Sequence, residues 1–218
     1  MLDWSIIVDY APLYAEGFFR AVSITAVSIL IGTVFGMFLG MGRLSKRTWL
    51  RAPIVTYINF FRGTPLLVQI FIIHFALIPT LFGQSLGVWV SGITALSLNS
   101  AAYIAEIFRA GIQSIDRGQM EAARSLGMRY SQAMRYVILP QAFKRMLPPL
   151  GNEAIMLLKD SSLLMVISFP ELMYASKTVM GATSRAWEPY LTAAVLYLVV
   201  TLLLARLVSK LEARDSTR

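Results

Sequence analysis

The chain has 218 residues, of which 56% are hydrophobic and only 15% charged, and its mean hydropathy is +0.63. Soluble domains carry about 25% charged residues and roughly 45–50% apolar ones, so a water-soluble globule is excluded. The formal charge is nevertheless +8, from twenty Lys and Arg against twelve Asp and Glu, and such a balance raises nucleic-acid binding until the charges are placed. With no cysteine there is no disulfide frame, thiolate metal site or Cys nucleophile. The opening Met1-Leu2-Asp3-Trp4-Ser5 lacks the basic stretch of a cleavable signal peptide, so the first apolar run reads as a retained span.

A helix needs about 20 apolar residues to cross a hydrocarbon core of ~30 Å. Five stretches qualify in chain order: residues 21–41; 64–83, starting nearer Pro53; 86–108; 150–169; and 190–205 with its flanks. The first contains Gly32, Gly36 and Gly40, a four-residue spacing that lines one helix face and allows another backbone to approach closely. Between the third and fourth spans, residues 111–149 form a long polar stretch. Fifteen Lys and Arg fall on the side that holds this stretch and three on the other. The bias predicts an outer N-terminus, an inner C-terminus and a cytoplasmic loop. The basic pI is thus a topology signal, and nucleic-acid binding drops out.

Within the loop, Asp116 followed by Gln119 has the form of a capping box, and Gly127 suits a helix stop. These bound a helix of two to three turns whose Met120, Ala123 and Leu126 share a face. Ser131 is placed to cap a second helix that Pro140 ends, while Pro148 and Pro149 suit the first turn of the fourth span. Two short helices on a basic loop can bind anionic headgroups or dock a cytoplasmic partner, and both readings stand at this point.

The fourth span carries Glu153, Lys159 and Asp160. Seven residues return a helix to within about 20° of its start over ~10 Å, so both carboxylates share one face. Glu153 would lie toward the cytoplasmic end and Asp160 near the membrane centre. Ionisable groups in a bilayer are functional candidates. The two carboxylates could hold a guanidinium or ammonium, with Ser161 or Ser162 offering hydroxyls to the substrate's backbone groups. Alternatively Glu153 pairs with Arg62 or Arg109, and Asp160 with Lys159 of another subunit. Arg62 and Glu106 read as structural or gating charges, and Gln69, His74 and Asn99 as interhelical hydrogen-bonding groups.

Four segments carry a resemblance. Glu121-Ala122-Ala123-x-x-x-Gly127, then nine residues, then Val137-Ile138-Leu139-Pro140, resembles the EAA loop of ABC-importer permease subunits, with Val137 where the family prefers Ile. The segments 61–69 (FRGTPLLVQ) and 102–113 (AYIAEIFRAGIQ), and Gly151-Asn152-Glu153 with Lys159-Asp160-Ser161-Ser162-Leu163, are similar to the polar-amino-acid importers. The resemblance implies an all-α integral membrane protein in the inner membrane of a prokaryote, one permease domain over residues 1–218 with its coupling loop at about 111–149. It implies import of polar amino acids, basic ones by the carboxylate pair, with glutamine or glutamate as the alternative. Glu121, Ala122, Ala123 and Gly127 would dock a cytoplasmic ATPase dimer, which binds ATP and Mg. Two permease subunits, identical or homologous, would work with an extracytoplasmic binding protein amid membrane lipid.

This chain has no GxxxxGK[ST] phosphate loop, so ATP hydrolysis belongs to a partner and no catalytic or metal residue is expected. His74 is the only histidine and has no GxSG nearby, and Asp160 is the only intramembrane Asp, which leaves neither a serine nor an aspartyl protease. A channel or ion-coupled carrier is the remaining rival class, but five spans do not divide into the equal repeats of carriers.

Overall fold

Apolar surroundings offer no water to bond the backbone, and helices satisfy their own N–H and C=O groups. The computed structural model describes residues 3–216, with side chains through residue 210. Met1 and Leu2, and from the fifteen inner Lys and Arg also Arg218 and the side chain of Arg214, lie outside the described residues. Among those described no strand occurs. The order is α1 (Ser5–Asp9), α2 (Ala11–Arg43), α3 (Thr48–Gly63), α4 (Leu66–Phe71), a π-helical stretch (Ile72–Leu77) and α5 (Ile78–Phe82). Then come α6 (Gly87–Gln113), α7 (Arg117–Ser125), α8 (Tyr130–Ala133), a second π-helical stretch (Met134–Ile138), α9 (Leu139–Asp160), a 3-10 stretch (Ser161–Ile167), α10 (Leu172–Thr183) and α11 (Trp187–Ser216).

Among the described residues, three helices are long and apolar enough to cross a membrane: α2, α6 and the Trp187–Lys210 part of α11. Thr48–Gly63 and Leu66–Phe82 qualify together as a pair bent by 110°, where a single second span was expected. The fourth expected span departs further. Helix α9 begins at Leu139 and carries Lys144, Arg145, Glu153, Lys159 and Asp160, too many charges for an apolar span. It tightens to 3-10 at Ser161 and is turned by Ser168 at φ 62°.

The glycine face of α2 meets α6. A Cβ on Gly32 would come within 3.1 Å of Ser100, one on Gly36 within 2.7 Å of Ile104, and one on Gly40 within 2.8 Å of Phe108. Both residue numbers rise together, so α2 and α6 run parallel and α3–α5 must return the chain between them. Along α6 and α9 the numbers run oppositely, Gly111 meeting Met146 and Gly92 meeting Leu164. Gly151 of α9 meets Val208 of α11. The long strokes of the chain therefore alternate in direction around α6, which is buried along most of its length.

The 110° bend is held by side chains. The buried Gln69 amide donates to the carbonyls of Phe61 (2.8 Å) and Thr64 (3.0 Å), groups that the break leaves without helical partners. Asn99 of α6 donates to the Gln69 carbonyl at 2.9 Å, tying the bend to the central helix. Near the start of α2, where Gly17 meets its backbone, Glu171 caps α10 through Met173 and Tyr174 and accepts the Tyr197 hydroxyl at 2.5 Å. The Tyr14 and Ser176 hydroxyls reach the Pro189 carbonyl at 3.3 and 2.9 Å.

Two prolines each follow a π-helical stretch by two residues, Pro79 after Ile72–Leu77 and Pro140 after Met134–Ile138. Proline cannot donate to the carbonyl four residues back, and the wider π turn absorbs that missing bond. Pro140 therefore does not end the loop's second helix. The helix runs on as α9, and Pro148 and Pro149 lie inside α9 instead of opening it.

Gly36→Leu is expected to lower stability by about 2 kcal/mol or more, because the added side chain meets Ile104 and the Ala101 carbonyl. Gly63→Ala, with nothing within 4 Å, is expected to be neutral, and thermal unfolding in detergent measures the contrast.

Candidate functional site

The 111–149 loop is ordered by backbone geometry. Asp116 caps α7, accepting the Gly118 N–H at 2.8 Å, but Gln119 does not complete the expected box; its side chain meets Gln141 instead. At the other end Gly127, at φ 85°, donates to the Arg124 carbonyl (3.0 Å), and Met128 donates to that of Ala123 (3.2 Å). This paired arrangement is a Schellman stop, and the left-handed residue it requires is why a glycine stands there.

The faces of α7 differ from expectation. Met120 is half-buried and packs with the cluster formed by Phe108, Ile115, Ile138 and Met146, and Ala123 is 4% exposed. Leu126, placed on that face by spacing, is 82% exposed: its N–H still bonds the Ala122 carbonyl at 3.1 Å, and the helical turn sets it beside the exposed Gln119 and Ala122. Glu121, Ala122 and Gly127 are open to the surroundings, whereas Ala123 points inward and sets the helix against the bundle. The second loop helix starts with the Gln132 side chain accepting the Arg129 N–H at 2.8 Å, not with the expected Ser131 cap. From Tyr130 it continues without a break to Ile167.

At the Arg-rich end, Glu106 of α6 gathers three guanidinium groups. Arg43 of α2 contacts it directly, Arg109 lies at 3.0 Å and Arg62 of α3 at 3.6 Å. Arg62 also stacks 5.3 Å from the Tyr103 ring centre. One carboxylate thus joins three helix ends with positive charge to spare. Beside it a cavity of about 430 Å³ is lined by Arg109, Ser114, Arg145 and Pro149 among others. Arg62 and Arg109 being engaged here, Glu153 pairs with neither.

Helix α9 carries the other charges. Glu153 is buried against Ser100, level with the middle of α6, so it lies deeper than the cytoplasmic-end position expected. Asp160 is half-buried about two turns farther along, toward the end where Leu164 meets Gly92. Lys159 is exposed. Ser161, expected to offer its hydroxyl, is fully buried and donates it to the Leu158 carbonyl at 2.7 Å; Ser162 is half-buried. The His74 ring nitrogen and the Ser91 hydroxyl lie 2.8 Å apart, an interhelical bond like those of Gln69 and Asn99. Among the described residues no group of His, Cys, Asp and Glu has the arrangement of a metal site.

Glu106→Gln should destabilise the bundle by about 1–2 kcal/mol, between the values for exposed and buried ion pairs, since three arginines lose their shared partner. The loss in thermal midpoint should shrink as salt rises and screens the arginines from one another.

The chain has close relatives. Residues 32–215 match the family described as binding-protein-dependent transport system inner membrane component. A probable glutamine ABC transporter permease protein, GlnM, of Bacillus subtilis (strain 168) is 39% identical over 213 residues, covering 98% of both chains. The arginine transport system permease protein ArtQ of the same organism is 39% identical over 203 residues, covering 93% of this chain and 92% of its own. A crystal structure of an amino acid ABC transporter with histidines superposes with a TM-score of 0.93 at 42% identity, covering 98% of this chain and 99% of that one. A MetNI methionine ABC transporter in an inward-facing conformation, 23% identical with a TM-score of 0.80, shares the fold. With its glycine-faced bundle, its EAA-type loop and these likenesses over nearly its whole length, the chain belongs to the binding-protein-dependent inner membrane components, among the permease subunits of amino-acid ABC importers.

Proposed function

We propose that the permease carries a basic amino acid such as arginine, lysine or histidine, and that Asp160 takes the substrate's cationic group. The observation that supports this is the pairing on α9: Glu153 and Asp160 share a face of one helix, one buried and one half-buried. A carboxylate with restricted access to water favours a guanidinium or ammonium partner. Glu153, set back against α6, adds negative potential from behind, and Ser162 is the hydroxyl nearer to hand because Ser161 bonds its own helix. The relatives named for glutamine and for arginine are equally similar, at 39% identity, and keep glutamine as the second reading.

In this reading transport is alternating access driven by a separate ATPase dimer, which holds the ATP and Mg. Two permease subunits form the path, and an extracytoplasmic binding protein delivers the substrate. The chain's own part is mechanical. ATP binding closes the ATPases and moves α7, which Ala123 and the Schellman turn fix to the bundle as a rigid lever. Because helix runs unbroken from Tyr130 to Ile167, displacement of the loop reaches the Asp160 face through one rod. Outward opening admits the substrate, and hydrolysis returns the rod.

Asp160→Asn is expected to abolish or shift the uptake of a basic amino acid in proteoliposomes with the ATPase and binding protein. Unaltered arginine uptake, or turnover stimulated by glutamine alone, would sink the basic-substrate reading. Gly127→Leu meets open space but forces φ 85° on a branched side chain, a strain of about 1–2 kcal/mol. It should lower the thermal midpoint by only a few degrees and uncouple ATP hydrolysis from transport; intact coupling would count against α7 as the lever.

A further inference from the structure

The Arg-rich end of the bundle holds more positive charge than its own carboxylates balance. Arg43, Arg62 and Arg109 share Glu106, whose Oε1 meets Arg43 and whose Oε2 meets Arg62 and Arg109. The cavity of about 430 Å³ beside them has a second arginine in its wall, Arg145 of α9. Arg145 donates to the Ser114 carbonyl and, at 3.3 Å, to the Ser114 hydroxyl, both from one terminal nitrogen. Among the described residues its Nε and other terminal nitrogen have no acceptor, and no carboxylate pairs with it. Arg109 gives its Nε and one terminal nitrogen to Glu106 and the other to Gln113, yet each terminal nitrogen carries a second N–H. Among the described residues Glu106 is the one carboxylate in the wall, and both its oxygens are already engaged. The cavity thus presents spare guanidinium donors from two helices, in a crowd of like charges that an anion would relieve.

Depth and lining narrow the class of anion. Arg109 lies nine residues beyond Ser100, the middle of α6, a rise of about 14 Å against about 15 Å for half a hydrocarbon core. Arg109 and Ser114 therefore fall at the level of the inner headgroups, on the side where Lys and Arg concentrate. Ile107, Ala110 and Pro149 give the cavity an apolar wall beside the two arginines. A phosphate accepts paired bonds from a guanidinium, and in a phospholipid it brings glycerol and methylene groups to lie on such a wall.

We propose that the cavity between the inner ends of α6 and α9 binds the phosphate ester of an anionic phospholipid. Arg109 and Arg145 clamp the phosphate, and Ser114 is a positioning residue that holds Arg145 toward it. The lipid neutralises arginines that Glu106 alone does not, and it ties the α9 rod to the end of α6. Basic pockets between transmembrane helices on the cytoplasmic side suit such headgroups. The site is independent of which amino acid the permease carries.

The test places the full chain in phosphatidylcholine nanodiscs, with and without added phosphatidylglycerol. The anionic lipid is expected to raise the thermal midpoint by a few degrees, as a ligand bound to the folded state does. Arg145→Gln should lose about half or more of that gain. Arg117→Gln, the same charge change on α7 outside this cavity, should keep it. Native mass spectrometry should find phosphatidylglycerol retained severalfold over phosphatidylcholine on the unmodified chain, and near parity on Arg145→Gln. An equal gain in all three chains would reduce the effect to general surface charge and overturn the site. Inorganic phosphate added to phosphatidylcholine nanodiscs should give no comparable gain. A gain from phosphate that Arg145→Gln removes, with none from phosphatidylglycerol, assigns the cavity to a free anion and overturns the lipid as its ligand.

Discussion

The close approach of α2 and α6 is the contact on which the rest of the bundle depends. Lipid tails are as apolar as leucine, so in a membrane helices gain little from hiding apolar side chains and rely on close backbone packing and hydrogen bonds. Gly32, Gly36 and Gly40 remove the side chains that would separate the helices, and Ser100, Ile104 and Phe108 settle into the space. The same face continues toward the N-terminus through Ser28, Thr25 and Ala21, all buried. Once α6 is held along its length by α2, its remaining surface receives the α3–α4 bend on one side and α9 on another.

Polar groups complete what small residues begin. Gln69 bonds carbonyls that a 110° bend would otherwise strand, and Asn99 ties that bend to α6. Glu106 does the corresponding work at the Arg-rich end, where α2, α3 and α6 each send an arginine to it. An unsatisfied polar group is costly in a medium without water, so such bonds specify which helix faces meet. The same logic explains why Ser161 turns its hydroxyl to the Leu158 carbonyl: buried and facing apolar neighbours, it bonds its own helix.

The loop and the carboxylate face belong to one mechanical piece. The helix that begins at Tyr130 beside the Gly127 turn reaches Asp160 through a π-helical stretch that accommodates Pro140. A proline inside a rod would ordinarily break it; the π turn keeps the rod whole. In the proposed mechanism, a partner that moves α7 would act on the Asp160 face through this rod.

Much of this was legible in the residues themselves. Membrane residence followed from hydropathy, the glycine face from its spacing, the ends of α7 from Asp116 and Gly127, and the loop's kinship from Glu121-Ala122-Ala123 and Gly127. These are local properties, dictated by the length of a helix that spans hydrocarbon and by the φ that only glycine adopts easily. What lay beyond local information was which surface each face meets. The partner of the glycine face, the depth of Glu153, the three arginines on Glu106 and the bend at residues 63–65 depend on residues far apart in the chain. Helical spacing put Met120, Ala123 and Leu126 on one face, but the bundle covers only the side held by Met120 and Ala123, and Leu126 stays outside beside Gln119 and Ala122. Periodicity gives the angle of each side chain about its own helix, and tertiary packing decides which arc of that helix is covered and which side chains stay open.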